Sequence, residues 1–258
     1  MTRPKRKPER HPLILRWQEP DAPLPRRGIQ APSRQSSLPW VATQSAAPNG
    51  QRSDEPFDFC VSVQQLVTDI ALRCPDFRHL EVARILVTVI QARSAEPHGL
   101  QARVTPLRFP NATLTKQRRG VPFHIQRYFL GEQEFLYLMT FCLPRYLDQD
   151  FDQKLVTLFH ELYHISPTFD GDLRRHEGRY QFHSHSQRDY DHHMAHCARA
   201  YLAGGPDPNL HGFLRMSFAQ LQQRHGTVTG IVVPRPKIIP LIGPNAVAAN
   251  PPPLPVKP

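Results

Sequence analysis

The sequence has no apolar run long enough to cross a membrane. Nowhere in its 258 residues do the ~18 consecutive apolar side chains occur that a membrane-spanning helix requires. The basic N-terminus is followed by only a few apolar residues between His11 and Trp17, too few for the hydrophobic region of a signal peptide. We therefore expect a soluble, cytoplasmic protein with no membrane partner.

Cysteine is also scarce. The four cysteines show no Cys-x-x-Cys spacing and lie in apolar segments, at Cys60, Cys74, Cys142 and Cys197. This pattern is more typical of reduced thiols in a core than of a disulfide framework or a cysteine-based zinc site.

The ends of the chain have few periodic apolar residues, and they carry many prolines and an excess of basic over acidic side chains. Residues 1–55 contain 9 of the 28 prolines with 10 basic and 5 acidic side chains, and residues 226–258 contain another 9 prolines and no acidic side chain. Such segments bury too little apolar surface to offset the entropy of ordering. We expect disordered, proline-rich tails at residues 1–55 and 242–258 and one folded domain at residues 56–241.

The N-terminal tail begins with a basic arm, which has Lys or Arg at positions 3, 5, 6, 7 and 10. Such an arm can contact the phosphates of nucleic acid. A solubilising tail explains the same composition and is the commoner role. Weak nucleic-acid contact through this arm therefore remains an alternative, and the oligomeric state is not indicated.

The folded part contains the motif His160-Glu161-Leu162-Tyr163-His164. On a helix, side chains four positions apart lie on one face about 5–6 Å apart at Cβ, so the two imidazoles can bind one zinc ion. A zinc-bound water is a nucleophile near neutral pH, and Glu161 can take its proton and pass it to a leaving amine. A chance match is expected about once in forty chains of this composition. The motif predicts a zinc-dependent peptidase with His160 and His164 as ligands and Glu161 as base.

The segment around the motif is marked as a helix at both ends. Asp148 or Asp150 can cap its start, with Gln153 completing a capping box from Asp150, and Pro167 ends it. Apolar residues recur every three or four positions on the side away from the histidines, at Leu155, Leu158, Leu162 and Ile165. We expect one face of this helix to pack on the core and the other to face the metal.

The remaining apolar patterns predict an α+β domain. Two helices are predicted for residues 59–90, one on each side of Pro75, and others for residues 184–202 and 213–223. Strands are predicted for residues 102–109, 121–130, 135–143 and 228–233, with a hairpin turn at residues 131–134. A sheet edge beside the motif helix would bind an extended peptide as an added strand, although a hairpin that merely covers the helix fits the pattern equally well.

A catalytic zinc usually has three protein ligands, so one more is needed. The candidates are Asp170, His176, Glu177, His183, His185 and His192. We favour His185, because Ser184 and Gln187 can cap a helix that begins there, and Asp189 one turn later can accept the second ring N–H. A cap at Ser186 would instead leave His185 just outside the helix.

The motif and a second element downstream of it resemble a known family. The residues His-Glu-Leu-Tyr-His-Ile at 160–165, followed by His185-Ser-Gln-Arg-Asp189-Tyr190, look like the phage-type metallopeptidases of zincin-like fold, over about residues 57–241. The resemblance implies a peptidase with zinc ligands His160, His164 and His185 and with Glu161 as catalytic base. A longer insert rich in Arg and His departs from the family pattern and leaves His176 or His183 open as the third ligand.

The sequence thus predicts a zinc-dependent endopeptidase that acts on a peptide or protein substrate. Tyr180, Tyr190 and His193 are candidates to stabilise the oxyanion. One alternative is a nucleic-acid-associated zinc protein, for example a protease of DNA-bound proteins. The other is a non-catalytic fold in which zinc only holds helices together.

Overall fold

The structure, a computed structural model, describes residues 14–17, 24–30, 55–93, 96, 98–175 and 187–241, the side chains of residues 187–191 excepted. Within these residues, helices and small sheets are mixed along the chain, so the fold is α+β as predicted. None of the described helices has the length and apolar character needed to span a membrane.

The described elements are short strands and five helices, joined in places by single 3₁₀ turns. The strands are β1 (Ile14–Trp17), β2 (Arg26–Gly28), β3 (Phe57–Asp58), β4 (Ile85–Gln91), β5 (Ala102–Pro106), β6 (Thr115–Arg118), β7 (Val121–Ile125), β8 (Arg127–Leu130), β9 (Gln133–Phe135), β10 (Tyr137–Leu143), β11 (Val228–Ile231) and β12 (Ile238–Pro240). The helices are α1 (Phe59–Arg73), α2 (Phe151–Tyr163), α3 (Gln187–Ala203), α4 (Pro208–His211) and α5 (Phe218–His225).

The core is organised around a three-stranded sheet in the order β4-β10-β5. The central strand β10 runs parallel to β4 and antiparallel to β5, with Tyr137 opposite Ile85 on one side and Pro106 on the other. Every residue of β10 is buried. Helix α1 contacts β4 and helix α2 contacts β5. Strand β5 is therefore the edge of the sheet that lies beside the motif helix.

Residues 85–91 form strand β4, so the second of the two helices predicted around Pro75 is wrong, whereas the first corresponds to α1. Both faces of β4 are buried, because Leu86 and Val87 are each 3% exposed and Val89 is fully buried. A strand buried on both faces gives a continuous apolar run, which periodicity does not distinguish from a buried helix. The β-branched residues of this run favour the strand.

Two segments of the tail predicted to be disordered form strands, so that prediction is wrong for them. Strand β1 pairs in parallel with β8, and Trp17 stacks on Tyr128 with ring centroids 6.2 Å apart. Strand β2 pairs with β11, and the following Ile29 is only 2% exposed. The average composition of residues 1–55 conceals the apolar run of β1 and the single apolar residue Ile29, and both segments become ordered because strands β8 and β11 offer them hydrogen-bonding edges.

The strands predicted at residues 121–130 and 135–143 are each divided in two. Strands β7 and β8 belong to different sheets, as do β9 and β10. The expected hairpin joins β8 to β9 and turns at Gly131, whose φ of +55° suits glycine. A continuous apolar run does not reveal where a strand leaves one sheet for another.

The later elements agree more closely with the predictions. Helix α3 starts at Gln187 and ends at Ala203, close to the predicted 184–202, and strand β11 lies within the predicted 228–233. The helix predicted over residues 213–223 is interrupted, because α5 begins only after Ser217, which forms a capping box with Gln220.

Candidate metal centre

Helix α2 holds the motif in a fixed rotation about the helix axis. The Asp150 side chain accepts the Gln153 N–H at 2.8 Å, whereas Asp148 accepts the N–H of Phe218. The predicted core face is 0–1% exposed, at Leu155, Leu158, Leu162 and Ile165. With that face in the core, His160 and His164 are carried on the opposite side of the helix, where both are half-buried.

The imidazoles of His160 and His164 converge. Their Nε2 atoms are 3.0 Å apart, and their ring centroids are 4.7 Å apart at an interplanar angle of 79°. Two nitrogens bound at about 2.0–2.1 Å to a tetrahedral zinc are about 3.4 Å apart. A separation change of a few tenths of an ångström would therefore let both rings bind one zinc ion, so the donors present fit that metal.

Glu161 is buried beside this pair. Glu161 is only 9% exposed, and its Oε2 accepts a hydrogen bond from the backbone N–H of Val104 in β5 at 2.6 Å. Burial raises the pKa of Glu161 to about 7, against the opposing effects of the Val104 N–H and the Arg103 charge. Oε1 makes no hydrogen bond to the described residues, which leaves it available to a bound molecule.

Strand β5 presents its outer edge to this carboxylate. The Cys142 N–H donates to the Gln101 carbonyl, and the Leu107 N–H donates to the Leu136 carbonyl. The odd-numbered residues of β5 therefore form the backbone hydrogen bonds to β10. The backbone groups of Ala102 and Val104 therefore point away from β10. No strand pairs with this outer edge among the described residues. An extended peptide would find backbone partners here, next to Glu161.

Helix α3 packs antiparallel on α2. The ring centroids of Tyr163 and His193 are 5.4 Å apart, and those of Phe159 and Tyr201 are 6.0 Å apart. Residues later in α3 therefore contact residues earlier in α2. The start of α3 thus points past the end of α2 that carries His164. The predicted ligand His185 precedes this start by two residues but lies outside the described residues. So do His176, Glu177 and His183, and the oxyanion candidate Tyr180; the side chain of Tyr190 is likewise not described.

Two other candidate ligands lie in described parts of the chain. Asp170 is used by its own loop, since its carboxylate accepts the Thr168 hydroxyl and, at 3.0 Å, the Asp172 N–H. His192 is exposed on α3. The Asp170 contacts are those of a turn, which argues against a role in binding the same metal as His160.

The end of α2 is closed by Arg174. Its N–H donates to the His164 carbonyl at 2.7 Å, its Nε donates to the Tyr163 carbonyl at 2.8 Å, and its guanidinium lies 3.9 Å from the centroid of the Tyr163 ring. These contacts satisfy carbonyls that have no partner within the helix. They also hold the backbone that carries His164.

A second group of side chains that could bind a metal, which the sequence did not reveal, lies beside Tyr163. Asp76 Oδ2, His193 Nε2 and Cys197 Sγ are 3.8–3.9 Å from one another, close enough to hold one metal ion. The ring of His193, which the sequence offered as an oxyanion candidate, therefore lies next to Asp76 and Cys197. The four-residue spacing of His193 and Cys197 on a predicted helix was the available signal, but Asp76 is more than a hundred residues away.

The comparisons with known proteins found no family model, curated protein or solved structure that matches this chain. The resemblance to phage-type metallopeptidases stays a prediction that rests on the motif residues. The chemistry of the side chains around His160 is therefore the basis for assigning a function.

Proposed function

We propose that this chain is a zinc-dependent peptidase with a zincin-like domain, and that its centre is His160, Glu161 and His164. The observation that carries the proposal is the 3.0 Å approach of the two Nε2 atoms, next to a buried glutamate held at 2.6 Å on a sheet edge. A structural zinc site needs no buried carboxylate beside its ligands. A hydrolytic site does, because the attacking water must lose a proton.

Zinc bound by His160 and His164 would supply a Lewis acid that lowers the pKa of a water molecule and polarises the peptide carbonyl. The protein side chains supply the rest. Glu161 takes a proton from the water that attacks the carbonyl carbon, and the C–N bond then breaks as Glu161 passes this proton to the departing amine. The Val104 N–H keeps Oε2 in place while Oε1 carries the proton.

The outer edge of β5 supplies the substrate-binding surface in this proposal. A peptide paired with the backbone of Ala102 and with the Val104 carbonyl would lie extended, with its own carbonyls at a fixed distance from Glu161. Main-chain pairing of this kind accepts many sequences, so specificity would come from side-chain contacts on either side of the strand. The expected substrate class is therefore unfolded or extended protein segments.

His185 remains the proposed third ligand, with His176 and His183 as alternatives. The antiparallel packing of α3 supports this choice, since the chain enters α3 two residues after His185, at the end of α2 that carries His164. Zinc content measured in His176→Ala, His183→Ala and His185→Ala separates the three, because loss of a true ligand weakens binding steeply. Unchanged zinc content in all three variants would show that none of these histidines is the third ligand.

The decisive test of the function is Glu161→Gln. We expect wild-type zinc content and a kcat reduced at least about 100-fold, because the amide holds no proton-accepting oxygen of suitable basicity. The matched control is Glu132→Gln, which changes a fully exposed glutamate at the β8–β9 turn and should leave kcat unchanged. A wild-type rate in Glu161→Gln refutes the proposed mechanism. Zinc retained by a wild-type protein that hydrolyses no peptide would favour the non-catalytic alternative.

Cytoplasmic location and weak nucleic-acid contact through the basic arm stay predictions. Two basic residues that follow this arm form ion pairs within the fold, Arg16 with Glu132 and Arg26 with Asp58. Nothing in the described residues favours the nucleic-acid alternative over the peptidase.

A further inference from the structure

We propose that Asp76, His193 and Cys197 form a second zinc site, which joins helix α3 to the turn that follows α1. This site uses none of the residues assigned to peptide hydrolysis. It goes beyond the proposed function, because it would be present whether or not the first centre hydrolyses peptides.

The geometry suits a tetrahedral cation. Cys197 Sγ is 3.8 Å from His193 Nε2 and 3.9 Å from Asp76 Oδ2, and the last two atoms are 3.9 Å apart. With zinc bonds of about 2.3 Å to sulfur and about 2.0–2.1 Å to nitrogen and oxygen, tetrahedral ligand atoms are about 3.4–3.6 Å apart. Each pair needs to approach by only about 0.3–0.5 Å, which a small side-chain rotation provides.

The donor set selects the metal. Thiolate and imidazole favour zinc over calcium or magnesium, which prefer oxygen donors. The Cys197 thiol gives up its proton to solvent when the sulfur binds the cation, while imidazole binds as the neutral ring and Asp76 as the carboxylate. The three ligands then carry two negative charges against the two positive charges of zinc.

The backbone that carries these donors is held firmly. His193 and Cys197 lie one turn apart on α3, whose Tyr201 hydroxyl donates to Asp69 of α1 at 2.7 Å. Asp76 lies in the 3₁₀ turn Pro75–Phe77, whose Phe77 ring packs against Phe159 of α2 at 5.3 Å. The ligands thus come from two elements that are already in contact, so little conformational entropy is lost on binding.

The site is accessible to a cation. The side chains of His193 and Asp76 are 42% and 55% exposed, while Cys197 is 8% exposed. A cavity of about 390 Å³ adjoins Asp76 and Cys197, and its other lining residues include Cys74 and His196. A water molecule would complete the tetrahedral coordination of the cation. Arg73, which also borders the cavity, is neutralised by its ion pair with Asp69 at 2.8 Å.

A cation here would restrain α3 at its middle. The Tyr163 ring, carried by the same helix as the His160 centre, packs against His193 with ring centroids 5.4 Å apart. Gln187 is six residues before His193, about 9 Å along the helix. The second zinc would therefore fix the direction in which the chain enters α3.

Cobalt(II) binding to the full chain tests the proposal, because a thiolate ligand gives an intense charge-transfer absorption in the near ultraviolet. None of the ligands proposed for the His160 centre has a sulfur atom. In the double variant His160→Ala/His164→Ala, we expect one equivalent of cobalt with this absorption. Cys197→Ser should abolish the band, and Cys142→Ser, which changes a buried cysteine elsewhere, should leave it unchanged.

Two surface variants keep the test independent of folding defects. Asp76→Asn and His193→Ala should each weaken cobalt affinity at least about 10-fold with an unchanged far-ultraviolet circular dichroism spectrum. Absence of the charge-transfer band in the double variant overturns the proposal. So does a band whose cobalt affinity is unaffected by both surface variants, since the thiol would then bind metal without Asp76 and His193.

Discussion

The hydrogen bond from the Val104 amide to Glu161 leads to a quantitative prediction about the proposed catalytic base. The two atoms are 2.6 Å apart on the outer edge of β5, so Val104→Pro removes the donor and leaves the β5–β10 ladder in place. A hydrogen bond to a charged group contributes about 1.5–3 kcal/mol. Because this bond stabilises the carboxylate, its loss should raise the pKa of Glu161 by about one to two pH units relative to the wild type.

The pH dependence of kcat/KM on a peptide cleaved by the wild-type protein measures this change, since it reports the ionisation of the free enzyme. The base acts when deprotonated, so the acidic limb of the profile should move to higher pH in Val104→Pro. Val104→Ala retains the amide and should leave the limb in place. Thr105→Pro removes an N–H that faces β10 and should lower the stability of the fold instead. An acidic limb that stays put in Val104→Pro would refute the assigned role of this amide.

Three predictions concern the fold that supports the site. Burial lowers the pKa of Lys154 to about 8, below the unfolded value of about 10.4, so the cost of burying its charge is full below pH 8 and is relieved as the pH rises to 10.4. The free energy of unfolding of the wild type, measured relative to Lys154→Met in urea titrations, should therefore increase over that interval. A constant difference would contradict this. Gly230→Ala places a Cβ 2.5 Å from Val89 Cγ2 and should cost about 1–3 kcal/mol, whereas Gly28→Ala, with its closest contact at 3.6 Å, should be nearly neutral by the same measurement. Leu158→Ala empties a fully buried position and should cost about 2–5 kcal/mol of unfolding free energy; a loss below about 1 kcal/mol would show that α2 does not pack as described.

The motif helix was predictable because its signals are local. A capping aspartate at Asp150, an apolar repeat and a proline at Pro167 all lie within twenty residues of one another, in or next to the same helix. Strand β4 was not predictable in the same way. Its apolar run is compatible with either periodicity. Its β-branched residues favour a strand, but the pairing with β10, whose matched residues are 52 positions later, decides the matter.

The same distinction applies to the two candidate metal centres. The pair His160 and His164 could be read from the sequence, because the spacing fixes it within one helix. The environment of Glu161 could not be read from the sequence. It depends on which strand edge packs next to α2 and on the register of β5 against β10, which directs the Val104 N–H away from the sheet. Asp76 reaches His193 only because α3 packs against the region after α1, a tertiary contact that the sequence does not encode locally.

Helix α3 connects the two centres mechanically. Its middle carries His193 and Cys197, its far end is held to α1 through Tyr201, and its start comes directly after the segment that contains His185. A cation at the middle of α3 would therefore act on the first centre by fixing where that segment ends. Through this coupling, Cys197→Ser should weaken zinc binding at the His160 centre without changing any of its ligands, whereas Cys142→Ser should not. Equal affinity of the first centre in both variants would show that the two sites are independent.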